Sequence, residues 1–238
     1  MILDDVVAAP PALQHALASA TVGGELCTWV YLTVQGDRAK SDHWLDDRRE
    51  KLRSSLWAVG APEADVLAID DALARPLDAV GRINVYLLAR HGVVVLDEVL
   101  PGARHGRERQ GTGFVADVVP VLQHLAVTPG RGDVAPRDDR PFAESGVQAA
   151  VAALRTGRMS TLVLDPDGFG EQSLSCLAGA PWVALSGTNA EPRDATPVVT
   201  AAATASALVR AALQTGVEVA FAPAAALPGG SPVAYLTT

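Results

Sequence analysis

The sequence predicts an α/β protein of two domains, and three observations carry that prediction. Residues 146–167, GVQAAVAALRTGRMSTLVLDPD, read as a helix that stops and turns directly into a buried strand. Val147, Val151 and Leu154 share one helical face, Gly157 stands where a helix ends, and residues 161–164 are apolar and partly β-branched. The same order returns at residues 208–221, with Gly216 as the helix stop. Residues 82–100 contain two β-rich runs around Arg90, His91 and Gly92, the pattern of a hairpin. Paired helix-to-strand units place their strands in one sheet with helices packed across it, so each domain is expected as a mixed sheet with packed helices.

The remaining elements follow in order. Residues 10–19 form a short opening helix with Leu13 and Leu17 on one side, and residues 26–34, LCTWVYLTV, form a strand with both faces at least half covered. A helix over residues 41–59 carries Leu45, Leu52, Leu56 and Val59 on its apolar side. Its other side is the charged run Asp46, Asp47, Arg48, Arg49, Glu50, Lys51 and Arg53, read as a solvated face. A second helix starts at Pro62 and runs to Leu73. Residues 101–113 are too rich in glycine and charge for a packed element, and residues 114–125 form a helix lined by Phe114, Val118, Leu122 and Leu125. Residues 128–141, TPGRGDVAPRDDRP, lack apolar periodicity and read as a linker. The expected division is therefore residues 1–128, a linker at 129–141, and residues 142–238. Beyond it, residues 168–177 hold a short helix, 182–185 a strand, 187–197 a loop, 198–213 an alanine-rich helix, and 233–236 a closing strand.

Composition restricts function more than it assigns it. With 19 basic and 27 acidic residues the chain carries −8, which works against sequence-independent attraction to nucleic acid; any RNA contact must come from a local basic patch. No membrane-spanning run or leader is apparent, and Cys27 and Cys176 each sit in apolar company, which suits reduced buried thiols in a cytoplasmic protein. The histidines, at positions 15, 43, 91, 105 and 124, have no metal-ligand spacing, and no nucleophile elbow or phosphate loop occurs, so no metal or cofactor is expected. The sharpest enzymatic lead is TLVLDPDG, residues 161–168. It resembles the haloacid-dehalogenase phosphotransferase signature, with Asp165 as nucleophile, Asp167 as general acid/base and magnesium between them. Its companions do not follow: no lysine occurs after Lys51, and Phe169 stands after the glycine. Asp165 and Asp167 are accordingly read as a strand end whose exchange for asparagine leaves stability nearly unchanged. Arg104, Arg107 and Arg109, after the hairpin, are the candidate RNA contacts, and they are expected to outweigh the self-neutralising helix at residues 46–53.

Several segments, taken together, resemble a known family. They are WVYLTV (29–34) with the charged helix after it, VYLLARHGVVVLDEVLPG (85–102), VADVVPVLQHLAVTP (115–129), VAALRTGRMSTLVLDPD (151–167), ALVRAALQTGVEVAFAP (207–223) and LPGGSPVAYL (227–236). In this order they resemble the actinobacterial relatives of the archaeal and eukaryotic class-1 peptide release factors, a group that includes ribosome hibernation factors. The resemblance implies a C-terminal domain with the α/β/α ribosomal-protein-like fold through which release factors bind partner proteins. It also implies that the middle domain is missing, because the chain passes directly across residues 128–141. That domain carries a Gly-Gly-Gln tip, and neither Gly-Gly-Gln nor the codon-reading Asn-Ile-Lys-Ser occurs here. The expectation is a non-catalytic, translation-associated factor that binds the ribosome or a translation GTPase, without peptide release. The alternatives are a protein interaction module or homodimer with no ribosomal role, and the magnesium phosphotransferase at Asp165.

Overall fold

The computed structural model describes residues 6–21, 25–35, 42–75, 82–100, 107–127, 133–134, 141–186 and 196–237. Its elements begin with β1 (Val7–Ala8), α1 (Pro11–Ala20), β2 (Cys27–Gln35), α2 (Asp42–Ala58), α3 (Glu63–Ala74), β3 (Arg82–Arg90), β4 (Val93–Leu100), β5 (Arg109–Gly113) and α4 (Val119–Val127). After these come β6 (Asp133–Val134), β7 (Glu144–Ser145), α5 (Val147–Thr156), β8 (Met159–Leu164), β9 (Ser173–Leu177), β10 (Val183–Leu185), β11 (Val198–Ala203), α6 (Thr204–Thr215), β12 (Glu218–Phe221) and β13 (Val233–Thr237). The class is mixed α/β. The chain divides into an inserted unit, Glu25–His124, and a terminal unit built from both ends, Met1–Gly24 with Leu125–Thr238.

That division differs from the expected one at 128/142. β1 pairs antiparallel with β12, Val7 opposite Phe221 and Ala8 opposite Ala220, and α1 lies against α6 and β12. The opening residues therefore complete the terminal unit's sheet. Two residues of the expected linker, Asp133 and Val134, are β6, paired with the other side of β1. The rest of that stretch, apart from Pro141, lies outside the described residues.

In the inserted unit the described strands form one sheet in the order β4-β3-β2-β5, and every pairing is antiparallel rather than mixed. One face carries Val30, Leu32, Val34, Ile83, Val85 and Leu87, packed on Leu56, Val66, Ile69 and Leu73 of α2 and α3. Amphipathic periodicity places Leu56, Val66 and Leu73 correctly, whereas Val59 and Leu67 stay exposed. His91 and Gly92 both adopt positive φ, 52° and 76°, the conformation of a tight two-residue hairpin turn. β5 occupies a region whose composition reads as loop. Its glycine content has a packing cause: a Cβ on Gly111 would lie 2.8 Å from Cζ2 of Trp29, so the indole can lie over this strand only where it has no side chain. α4 starts later than its apolar stripe suggests, leaving Phe114 exposed and outside the helix.

The six described strands of the terminal unit's main sheet run β6-β1-β12-β8-β13-β7. β8 and β12 are adjacent and parallel, Leu162 opposite Val219 and Leu164 opposite Phe221, as two helix-to-strand units predict. Both preceding helices end on a left-handed glycine, Gly157 and Gly216. Because α6 touches both α1 and α5, the three helices form one layer on one sheet face. The opposite face, with Val163, Ala220 and Ala234, packs under Leu227, Ala226 and Phe142, so the described residues do not build the three-layer α/β/α arrangement that the resemblance implies.

A second sheet, β10-β9-β11, corrects two helix expectations. Residues 173–177 are β9, preceded by a short 3-10 turn at Pro166–Phe169, and residues 198–203 are β11, so α6 begins only at Thr204. Val198, Val199 and Thr200 favour a strand locally, but alanines at 201–203 disguise its end, and only pairing with β9 fixes it.

Candidate anion-binding site

A cleft of about 320 Å³ lies in the inserted unit between α2 and the edge formed by β2 and β5. Arg48, Arg49 and Lys51 reach it from α2, Glu108, Arg109 and Gln110 border it at the edge of the sheet, and Leu32, Val34, Leu52 and Leu73 form its apolar floor. The α2 residues share a side because positions three apart on a helix are neighbours. Arg109 pairs opposite Tyr31, so its side chain lies on the sheet face away from Leu32 and Val34.

The cations are held in distinct ways. Arg49 grips Asp70 of α3 through Nε and Nη2, at 2.9 and 2.8 Å, and Arg53 adds a third contact at 3.1 Å. The hydrogen bond to Asp70 raises the Arg49 pKa against the opposing effect of burial, so this guanidinium is fixed and charged. Asp46 lies 3.7 Å from Arg49, a contact within the helix. Arg48 pairs with Glu108, whose carboxylate also accepts the backbone N–H of Thr33 at 3.1 Å. Arg109 pairs with Asp117 at 2.9 Å. Lys51 is exposed, lines the cleft, and forms no ion pair among the described residues.

The expected RNA-contact residues are thus only partly brought together. Arg104 lies outside the described residues. Arg107 is exposed but does not line the cleft, and Arg109 is in a strand rather than a flexible loop. Loop and charged helix, read from sequence as rivals, line one cleft. Nor does the helix neutralise itself: the strongest partner of Arg49 and Arg53 is Asp70 on α3, and that of Arg48 is Glu108, 60 residues away.

Asp165, the enzymatic lead, has a local structural task. Its Oδ1 accepts the N–H of Asp167 at 3.1 Å, capping the 3-10 turn, and its Oδ2 accepts the N–H of Ala224 at 2.9 Å. Each oxygen therefore ties the end of β8 to a different backbone segment. Replacing Asp165 by alanine is expected to cost about 1–2 kcal/mol of stability, and by asparagine about half of that, because one acceptor remains. Urea denaturation midpoints check this and distinguish it from a nearly neutral asparagine exchange. No group of His, Cys, Asp and Glu among the described residues has the arrangement of a metal site.

A buried arginine escaped sequence reasoning. Arg210 of α6 is 2% exposed, donates from Nη1 to the carbonyls of Leu177 and Trp182 at 3.2 and 3.5 Å, and lies 5.5 Å from the centre of a Trp182 ring. It fastens α6 beneath β9 and β10. Nearby Cys176 is a buried free thiol whose pKa is raised by burial, with the Arg210 charge acting the opposite way. Among the described residues no helix is long and apolar enough to cross a membrane. Neither protein-family models nor curated proteins provide a match to this chain.

Proposed function

We propose that this protein is a non-catalytic, translation-associated factor that binds the ribosome by taking rRNA phosphates at the cleft of the inserted unit. One observation carries the reading: in a chain of net charge −8, Arg48, Arg49 and Lys51 converge on a single cleft. A local concentration of cations is what an acidic protein needs in order to hold a phosphate backbone, and arginine engages phosphate oxygens with two parallel donors. The resemblance to release-factor relatives supports the same partner. The ordered Asp70 anchor favours binding further, since a guanidinium already held in place loses less freedom on meeting a phosphate.

Sedimentation of the purified protein with ribosomes over a salt series tests the reading. Exchanging Arg48 and Lys51 for glutamine is expected to weaken association and to flatten its dependence on log salt by up to about two phosphate contacts. Lys51 is exposed and Arg48 is partly so, so the fold should persist. Unchanged affinity and salt slope in the double variant would sink the proposal and redirect attention to a protein partner such as a translation GTPase.

A further inference from the structure

We infer that the cleft accommodates one nucleotide, with its phosphate taking the place now held by the Glu108 carboxylate, so that Glu108 is a built-in competitor of the ligand. This rests on the phosphate-binding reading above and narrows it to a single nucleotide unit. Oε1 of Glu108 receives both the Arg48 guanidinium and the Thr33 backbone N–H. A guanidinium and a strand-edge amide converging on one anionic oxygen are the donors that a phosphate oxygen would use. Lys51 stands one helical turn beyond Arg48 and lines the same cleft, supplying a further positive charge that a carboxylate at position 108 does not take up among the described residues.

The competitor is easily displaced. The side chains of Arg48 and Glu108 are 29% and 39% exposed, and ion pairs in such positions are weak. A phosphate monoester carries more charge than a carboxylate and offers more acceptor oxygens, so it can engage Arg48, the Thr33 amide and Lys51 together. The apolar floor of Leu32, Val34 and Leu52 supplies a surface for the base and ribose. A volume of about 320 Å³ is at the small end of ligand pockets, which run from about 300 to 1,000 Å³, and suits one nucleotide rather than a stacked helix.

The test measures binding of 5′-AMP by calorimetry and of a 5′-phosphorylated, 3′-labelled octa-adenylate RNA by anisotropy. The proteins are wild type, Glu108→Gln and Lys51→Gln, each checked by thermal melting. Glu108→Gln is expected to tighten binding about two- to fivefold by removing the competing charge, and Lys51→Gln to weaken it by a similar factor. Tightening for both probes assigns the nucleotide to single-stranded RNA; tightening for AMP alone assigns it to a free nucleotide, and both results support the inference. Unchanged or weaker binding in a folded Glu108→Gln protein, or no binding of either probe, overturns it. Ribosome sedimentation keeps the two readings apart. Ribosome binding with no Glu108 effect removes only the nucleotide site, whereas a Glu108 effect on AMP without ribosome binding removes only the translational role.

Discussion

Deleting residues 1–24 is expected to unfold the terminal unit while the inserted unit, Glu25–His124, stays folded. The opening segment supplies β1 to the sheet beside β12 and lays α1 on α6. It buries Val6 and Leu13 to 5% and 7% exposure and Leu17 completely. Burial of such side chains is worth about 1.5–3 kcal/mol each. Their combined loss is of the size of a domain's whole stability, about 5–15 kcal/mol. Polar losses add to it: the buried Gln14 amide donates to the Ala9 carbonyl at 2.7 Å and accepts the Val219 N–H at 3.0 Å, so removing it strands a backbone donor inside the unit. Gln214 likewise loses its acceptor at the Ala18 carbonyl. In an amide NMR spectrum of residues 25–238, peaks from the inserted unit should remain dispersed while those from residues 142–237 collapse. A spectrum dispersed for both units would refute the composite architecture. For the same reason, a protease cut within residues 129–141 should leave two fragments that stay together, not two independent domains.

The Asp65→Ala protein is expected to lose about 2–4 kcal/mol, the largest single-residue effect foreseen in the inserted unit. Asp65 is 1% exposed in the first turn of α3, where a carboxylate also suits the helix N-terminus. Oδ2 accepts the Thr28 hydroxyl at 3.1 Å, and Oδ1 accepts the Gly92 N–H at 2.7 Å. One buried carboxylate thus fastens α3 to β2 and to the β3–β4 turn. Alanine removes the acceptor from both donors; the Thr28 hydroxyl keeps Thr112 at 3.5 Å, so the Gly92 N–H bears most of the loss. Asp65→Asn should recover part of the loss, because its carbonyl can still accept the Gly92 N–H. Urea midpoints at constant slope measure both variants; a loss below about 0.5 kcal/mol for alanine would show that the carboxylate is not the fastening.

Local sequence alone determined the parts of this protein that depend on near neighbours. Val147, Val151 and Leu154 with Gly157 specify α5 and its end, Leu208 and Leu213 with Gly216 specify most of α6, and β-branched runs after each glycine specify β8 and β12. The hairpin at His91 and Gly92 is equally local, since two residues at positive φ make the turn. These signals are strong because helix periodicity and turn chemistry act over a few residues. Tertiary structure decided what those ranges do not reach. β5 is a strand because β2 offers an edge and Gly111 lies under Trp29; β11 is a strand because β9 pairs with it; β1 joins a sheet whose partner strand is over 200 residues away. The cleft belongs to the same class. The helix was visible as charged, yet the cleft depends on Asp70 drawing Arg49 away from its own helix and on Glu108 spanning 60 residues to Arg48, while Arg109, visible as a candidate cation, turns to Asp117 on the other face of the sheet. An ion pair between distant residues leaves no periodic trace in a sequence, because its energy depends on a separation that only the folded sheet and helices establish.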